Sequence, residues 1–157
     1  MPILRRLLVV VAGLVGLGGC AISTPYKRGV AVAPTDVVVV AVTYARYRPD
    51  QAAEFWRLTN AVQDSLPGQA GYVGHRLRRR LFANEAWTMT VWKDAQALEA
   101  FVSSPAHRTA MRATARLVED AGFARFEVRG ADLPLGWEPA LTALAEQGRT
   151  YERPATP

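Results

Sequence analysis

The run Asp36-Val-Val-Val-Val-Ala-Val-Thr-Tyr-Ala-Arg-Tyr47 limits what this chain can fold into more than any other stretch. It is β-branched and aromatic with almost no polar alternation, so it reads as a strand whose sheet must be covered on both faces. The elements after it decide what the cover is. Pro49 and Asp50 open a segment reaching about Leu66 in which Ala53, Phe55, Trp56, Leu58, Val62 and Leu66 fall near helical spacing, and Pro67-Gly68 ends it. Gly71 to Phe82 reads as a second strand, with Val73, His75, Leu77 and Leu81 on one face and Tyr72, Arg76, Arg78 and Arg80 on the other. Asn84-Glu85 supplies a turn, and Ala86 to Trp92 closes a hairpin as the third strand.

Asp94 suits the cap of a helix over Ala95 to Val102, and Ser104-Pro105 starts a further helical stretch through Met111, Ala115, Leu117 and Val118 that stops at Gly122. Phe123, Phe126 and Val128 mark a fourth strand, and Trp137 to Leu144 a terminal helix. Strand, helix, strand, strand, helix, strand is the order of the ferredoxin-like split βαβ fold, an α+β class in which an antiparallel sheet carries its helices on one face. The other face then has no lid. Since the first strand and much of the third are apolar on both sides, the expected cover is the same face of a second copy, a homodimer.

The domain so defined spans roughly residues 35–130, with a C-terminal helix and tail over 131–157. Ahead of it, Arg5 and Arg6 precede an apolar run from Leu7 to Leu17 that closes in Leu17-Gly18-Gly19-Cys20. A basic flank, a short apolar core and small residues at a cut site make a signal peptide over residues 1–19, too short for a permanent span of about 20 residues. Leu-Gly-Gly-Cys resembles the bacterial lipobox, and Cys20 is the only cysteine in the chain. An exported protein with one cysteine has no internal disulfide, so Cys20 is expected to carry lipid that holds the protein on a membrane. The address is the cell envelope; with Ala21 after the cysteine, a Gram-negative host would place the protein on the periplasmic side of the outer membrane. Loss of Arg5 and Arg6 lowers the formal charge from +5 to +3, and outside the cytoplasm no nucleic-acid partner is expected. Residues 20–34, with Pro25, Gly29 and Pro34 and no sustained period, suit a tether.

The stretch Glu85-Ala-Trp-Thr-Met-Thr-Val-Trp-Lys-Asp-Ala-Gln-Ala-Leu-Glu-Ala-Phe-Val-Ser-Ser-Pro-Ala-His-Arg-Thr-Ala-Met111 resembles the antibiotic biosynthesis monooxygenase-like family. The resemblance spans about Asp36 to Val128. It implies a dimeric α+β barrel, and its members include cofactor-free oxygenases of polyketide quinones and heme-degrading enzymes. Aligned with the latter, Phe101 and Met111 occupy the positions of an aromatic residue and the heme-ligating histidine, which departs from their pattern; at this spacing Met111 reads as core filling.

A quinone oxygenase needs an apolar pocket and a polar group that favours the deprotonated substrate, which then meets oxygen without metal or flavin. Trp56, Trp87, Trp92, Phe101 and Tyr44 are the candidates to hold a hydrophobic aromatic small molecule, and Thr43, Asn60, His75 or His107 the candidates for the polar contact, with His107 and then His75 foremost for proton transfer. The competing reading makes the aromatics packing and the histidines structural, in a non-catalytic envelope domain that binds a hydrophobic ligand or a protein. Two histidines with no carboxylate partner or zinc-like spacing make no metal set, and no cofactor is expected. The run Arg76, Arg78, Arg79 and Arg80 reads as a solvated strand face, with anionic headgroups or an acidic ligand as alternatives.

Overall fold

The computed structural model describes residues 20–150; the expected signal peptide of residues 1–19 and the end of the tail, residues 151–157, lie outside the described residues. In chain order the elements are β1 (Ala21–Ser23), β2 (Lys27–Arg28), β3 (Val37–Tyr47), α1 (Ala52–Ser65), β4 (Tyr72–Arg80), β5 (Glu85–Trp92), α2 (Ala95–Val102), α3 (Pro105–Leu117), β6 (Val118–Arg129), α4 (Trp137–Gln147) and β7 (Arg149–Thr150). All pair antiparallel in one sheet ordered β1-β4-β5-β3-β6-β7, with β2 also on β4. The inner order β4-β5-β3-β6 is the ferredoxin-like one, with the apolar β3 at its centre.

The alternation along β3 splits the core into two layers. Val39 and Ala41 face α1 and α2 through Leu66, Tyr72, Trp92, Leu98 and Phe101, while α1 and α3 meet over Ala45 through Leu58, Ala113 and Leu117. Val38, Val40 and Val42, each 0% exposed, point the other way and pack with Met89, Val91 and Ala124 against Leu135, Trp137, Ala140 and Ala143. The face expected to lie open for a second copy is therefore lidded by the chain's own C-terminal helix α4. The split βαβ order could not show this, because α4 lies beyond it in sequence and reads as a tail.

Residues 20–34 also depart from expectation. Instead of a free tether, β1 pairs residue for residue with Arg80, Arg79 and Arg78, and β2 pairs with His75 and Gly74. The backbone N–H of Leu81 donates to the Cys20 carbonyl at 2.8 Å, and Thr24 is bonded to Leu77 through both backbone and hydroxyl. Gly74 makes room for this arm: a Cβ there would collide with the Tyr26 hydroxyl. Short strands that borrow a partner's ladder have weak local signatures, which is why composition alone read as linker.

Two smaller corrections concern register and ends. A bulge between Tyr72 and Gly74 turns Tyr72 onto the His75 side and sends Val73 to the α4 side, the reverse of strict alternation. The helix expected to reach Gly122 ends at Leu117, and Val118 to Gly122 already belong to β6, because β3 offers them a ladder as far as Tyr47.

Candidate functional site

On the helix side of the sheet the two histidines stand at opposite ends of one aromatic ladder. His75 on β4 lies against Tyr72, with ring centroids 5.7 Å apart; Tyr72 meets Trp92 edge-on at 6.0 Å; Trp92 stacks on Phe101 of α2 at 4.7 Å; and Phe101 receives the edge of His107, in the first turn of α3, at 4.9 Å. The helix breaks that set up this geometry are local. Asp94 caps α2 by accepting from Ala97 N at 2.8 Å, and Ser104 caps α3 by accepting from His107 N at 3.4 Å. Trp92, fully buried, donates its indole N–H to Thr90 at 2.9 Å. Beyond it on the same face, Thr43 and Thr88 share a hydroxyl–hydroxyl hydrogen bond across β3 and β5.

The two imidazoles differ in protonation. The Nδ1 of His107 lies 3.0 Å from the Val102 carbonyl; a carbonyl can only accept, so Nδ1 carries the proton and Nε2 is left as an acceptor. Burial holds this ring below the usual histidine value, opposed by the Val102 bond and aided by the charge of Arg125. The ring is half-buried, and Nε2 is not among the buried unpartnered atoms, so it reaches solvent. His75 is almost wholly buried, with Nδ1 2.6 Å from the Tyr72 hydroxyl. Burial pushes that phenol up to about 12, so Tyr72 keeps its proton; its hydroxyl donates to the Lys27 carbonyl at 3.4 Å or to Nδ1, according to the imidazole tautomer. His75 Nε2 is buried without a partner among the described residues. Burial, and then Lys27, lowers this imidazole as well. His107 thus presents a base, and both rings are neutral near pH 7.

The remaining expected residues are elsewhere. Tyr44 and Trp87 lie on the α4 side of the sheet, 5.3 Å apart. There Tyr44 donates to Glu85 at 2.9 Å, Arg80 pairs with Glu85 at 2.6 Å, and Arg78 and Arg80 lie over the Trp87 ring. Trp56 joins Tyr47 and Phe55 in a third cluster at the end of β3. The five aromatics therefore do not line one pocket. Met111, read as core filling, is 47% exposed on α3. Two open hollows lie at the corner of β6, β7 and α4: one of about 510 Å³ beside Phe123, Arg125 and Arg149, and one of about 170 Å³ that includes Tyr44 and Asp120. The arginine run is not simply solvated, since Arg76 also reaches the Leu135 carbonyl at 3.2 Å over the Trp137 ring. Tyr72 is the partner that sequence missed; only the bulge brings it to His75.

Residues 38–113, which hold the whole ladder, match the family model described as antibiotic biosynthesis monooxygenase. The α+β domain belongs to this family. Spheroidene monooxygenase from Rubrivivax gelatinosus is 36% identical over 95 residues, covering 60% of this chain but only 37% of that protein, so the chain spans well under half the relative's length. SnoaB, a cofactor-independent oxygenase from Streptomyces nogalater, shares the fold with a TM-score of 0.50 at 22% identity, over 60% of this chain and 94% of its own. A conserved protein from Methanosarcina mazei Go1 does so at 0.53 and 13%, over 61% and 95%. The antibiotic biosynthesis monooxygenase segment thus contains both histidines, whereas the N-terminal arm and α4 that close the other face fall outside it.

Proposed function

We propose that the chain is a membrane-anchored oxygenase of the antibiotic biosynthesis monooxygenase family that oxygenates an aromatic, quinone-type small molecule without a cofactor. The observation supporting this is His107: a neutral imidazole whose Nδ1 is committed to a backbone carbonyl, whose Nε2 is left as an acceptor with no hydrogen-bond partner among the described residues, and whose ring abuts the Phe101–Trp92 stack. Nε2 takes the proton of an acidic ring CH or OH, and the resulting anion meets oxygen directly. For an anthrone-like substrate the balance is internal: a CH₂ becomes a carbonyl, one oxygen atom enters the product and the other leaves as water. Depression by burial makes the base weaker but keeps it wholly in the base form at neutral pH.

The test is oxygen uptake with anthrone-like and hydroquinone substrates. His107→Ala is expected to lower the rate by about 10²- to 10⁴-fold, the usual contribution of a positioned base; an unchanged rate removes His107 from the chemistry. A second reading, a non-catalytic domain that binds a hydrophobic ligand, is favoured by the tight mutual packing of Trp92 and Phe101, and it prevails if no substrate supports uptake.

Two further parts of the proposal concern place and assembly. Cys20, exposed and free, is acylated and holds the domain in the cell envelope. The homodimer rests on a different surface from the one first expected: among the described residues β7 pairs only with Gly122 and Phe123, which leaves the outer edge of β6 from Ala124 onward as an open ladder suited to a second copy. Sedimentation showing a monomer at micromolar concentration would overturn that assembly.

A further inference from the structure

We infer that the β4–β5 hairpin tip is a membrane-contact surface that inserts Phe82 among lipids and sets the neighbouring arginines on anionic headgroups. Phe82 is fully exposed and has a φ of 61°, a left-handed conformation that usually falls to glycine or asparagine. A large aromatic ring at such a position gains nothing from the fold, since it touches solvent on all sides. Half-buried Leu81 precedes it, and Ile22, 44% exposed, lies on the neighbouring β1 opposite Arg79. From Arg78 to Glu85 the tip carries three arginines against one glutamate, and that glutamate is already paired with Arg80. Among the described residues Arg78 and Arg79 have no carboxylate partner. An apolar wedge ringed by unpaired cations matches an anionic bilayer surface, where each arginine strengthens attachment about fivefold.

The chain's own connectivity points the same way. Cys20 is not at the end of a free linker but bonded to Leu81, next to Phe82, so the proposed lipid attachment point sits at this tip. Arg108, near the start of α3, serves as the contrasting position. The end of α3 meets Arg48, whose neighbour Tyr47 bonds Asn84 of the hairpin, so the start of α3 lies at the far end of the domain.

The test uses residues 20–157 in the Cys20→Ser background, which leaves an introduced thiol as the only one and omits the apolar run of residues 7–17 that could itself enter a bilayer beside the tip. A polarity-sensitive dye is attached to Phe82→Cys or to Arg108→Cys, and the protein is reconstituted in vesicles with or without phosphatidylglycerol, with a quencher on the lipid acyl chains. The expected result is blue-shifted, quenched emission at position 82 and neither at 108, with the effect strongest in anionic vesicles and reduced by Arg78→Gln with Arg79→Gln. Equal solvent exposure at 82 and 108 overturns the inference, as does equal quenching at both. Shielding at 82 without lipid quenching would put a protein there instead of a bilayer. Quenching indifferent to vesicle charge and to the arginine variants would overturn the headgroup contact.

Discussion

At the scale of single residues, the buried histidines set how the protein responds to acid. His75 and His107 are both held below the ordinary value of 6.5, so on acidification the unfolded chain binds its protons first. The stability contributed by these neutral rings is present in full above about pH 6.5 and is lost as the pH falls toward their folded values. Urea unfolding from pH 8 to pH 5 should show this decline, and His75→Gln should flatten it; a slope unchanged by the substitution would count against the buried, neutral assignment. At pH 8, His75→Ala should cost about 1–3 kcal/mol, because the Tyr72 hydroxyl loses its near partner in a buried site. This pair was half legible. His75 was visible as a strand histidine among apolar neighbours, but strict alternation placed Tyr72 on the opposite face, and the bulge at Gly74, a glycine inside the strand, reverses it.

At the scale of elements, α4 carries a weight its sequence position conceals. Trp137→Ala should cost about 3–5 kcal/mol by opening the layer over Val38, Val40 and Val42, with a matching rise in binding of a hydrophobic dye. Val40→Asp should give insoluble or unfolded protein, because the charge would be buried under the chain's own helix with no counter-ion. A soluble, folded Val40→Asp variant would mean that α4 lifts off. The elements with strong local signals were readable: β3 through its β-branched run, and α2 between the Asp94 cap and Ser103. Those whose structure depends on a distant partner were not. β1 and β2 exist because β4 has an edge to offer, and the first residues of β6 are strand because β3 extends beside them, although their composition continues the preceding helix.

At the scale of the whole molecule, Cys20→Ser should abolish labelling with palmitate and leave the precursor uncut. Normal labelling of that variant would sink the proposed anchor, and recovery mainly in inner-membrane fractions of a Gram-negative host would contradict the outer-membrane address. The pairing of β1 with β4 has a further consequence, one of timing. The cut proposed ahead of Cys20 falls beside an edge strand, where the Cys20 carbonyl is already engaged by Leu81. An enzyme that must draw this bond into its own cleft competes with the last strand as it zips into place. On the proposed processing, maturation and folding would race: a chain that completed its sheet too early would guard its own cut site, and slower closure of β1 would favour the processed form.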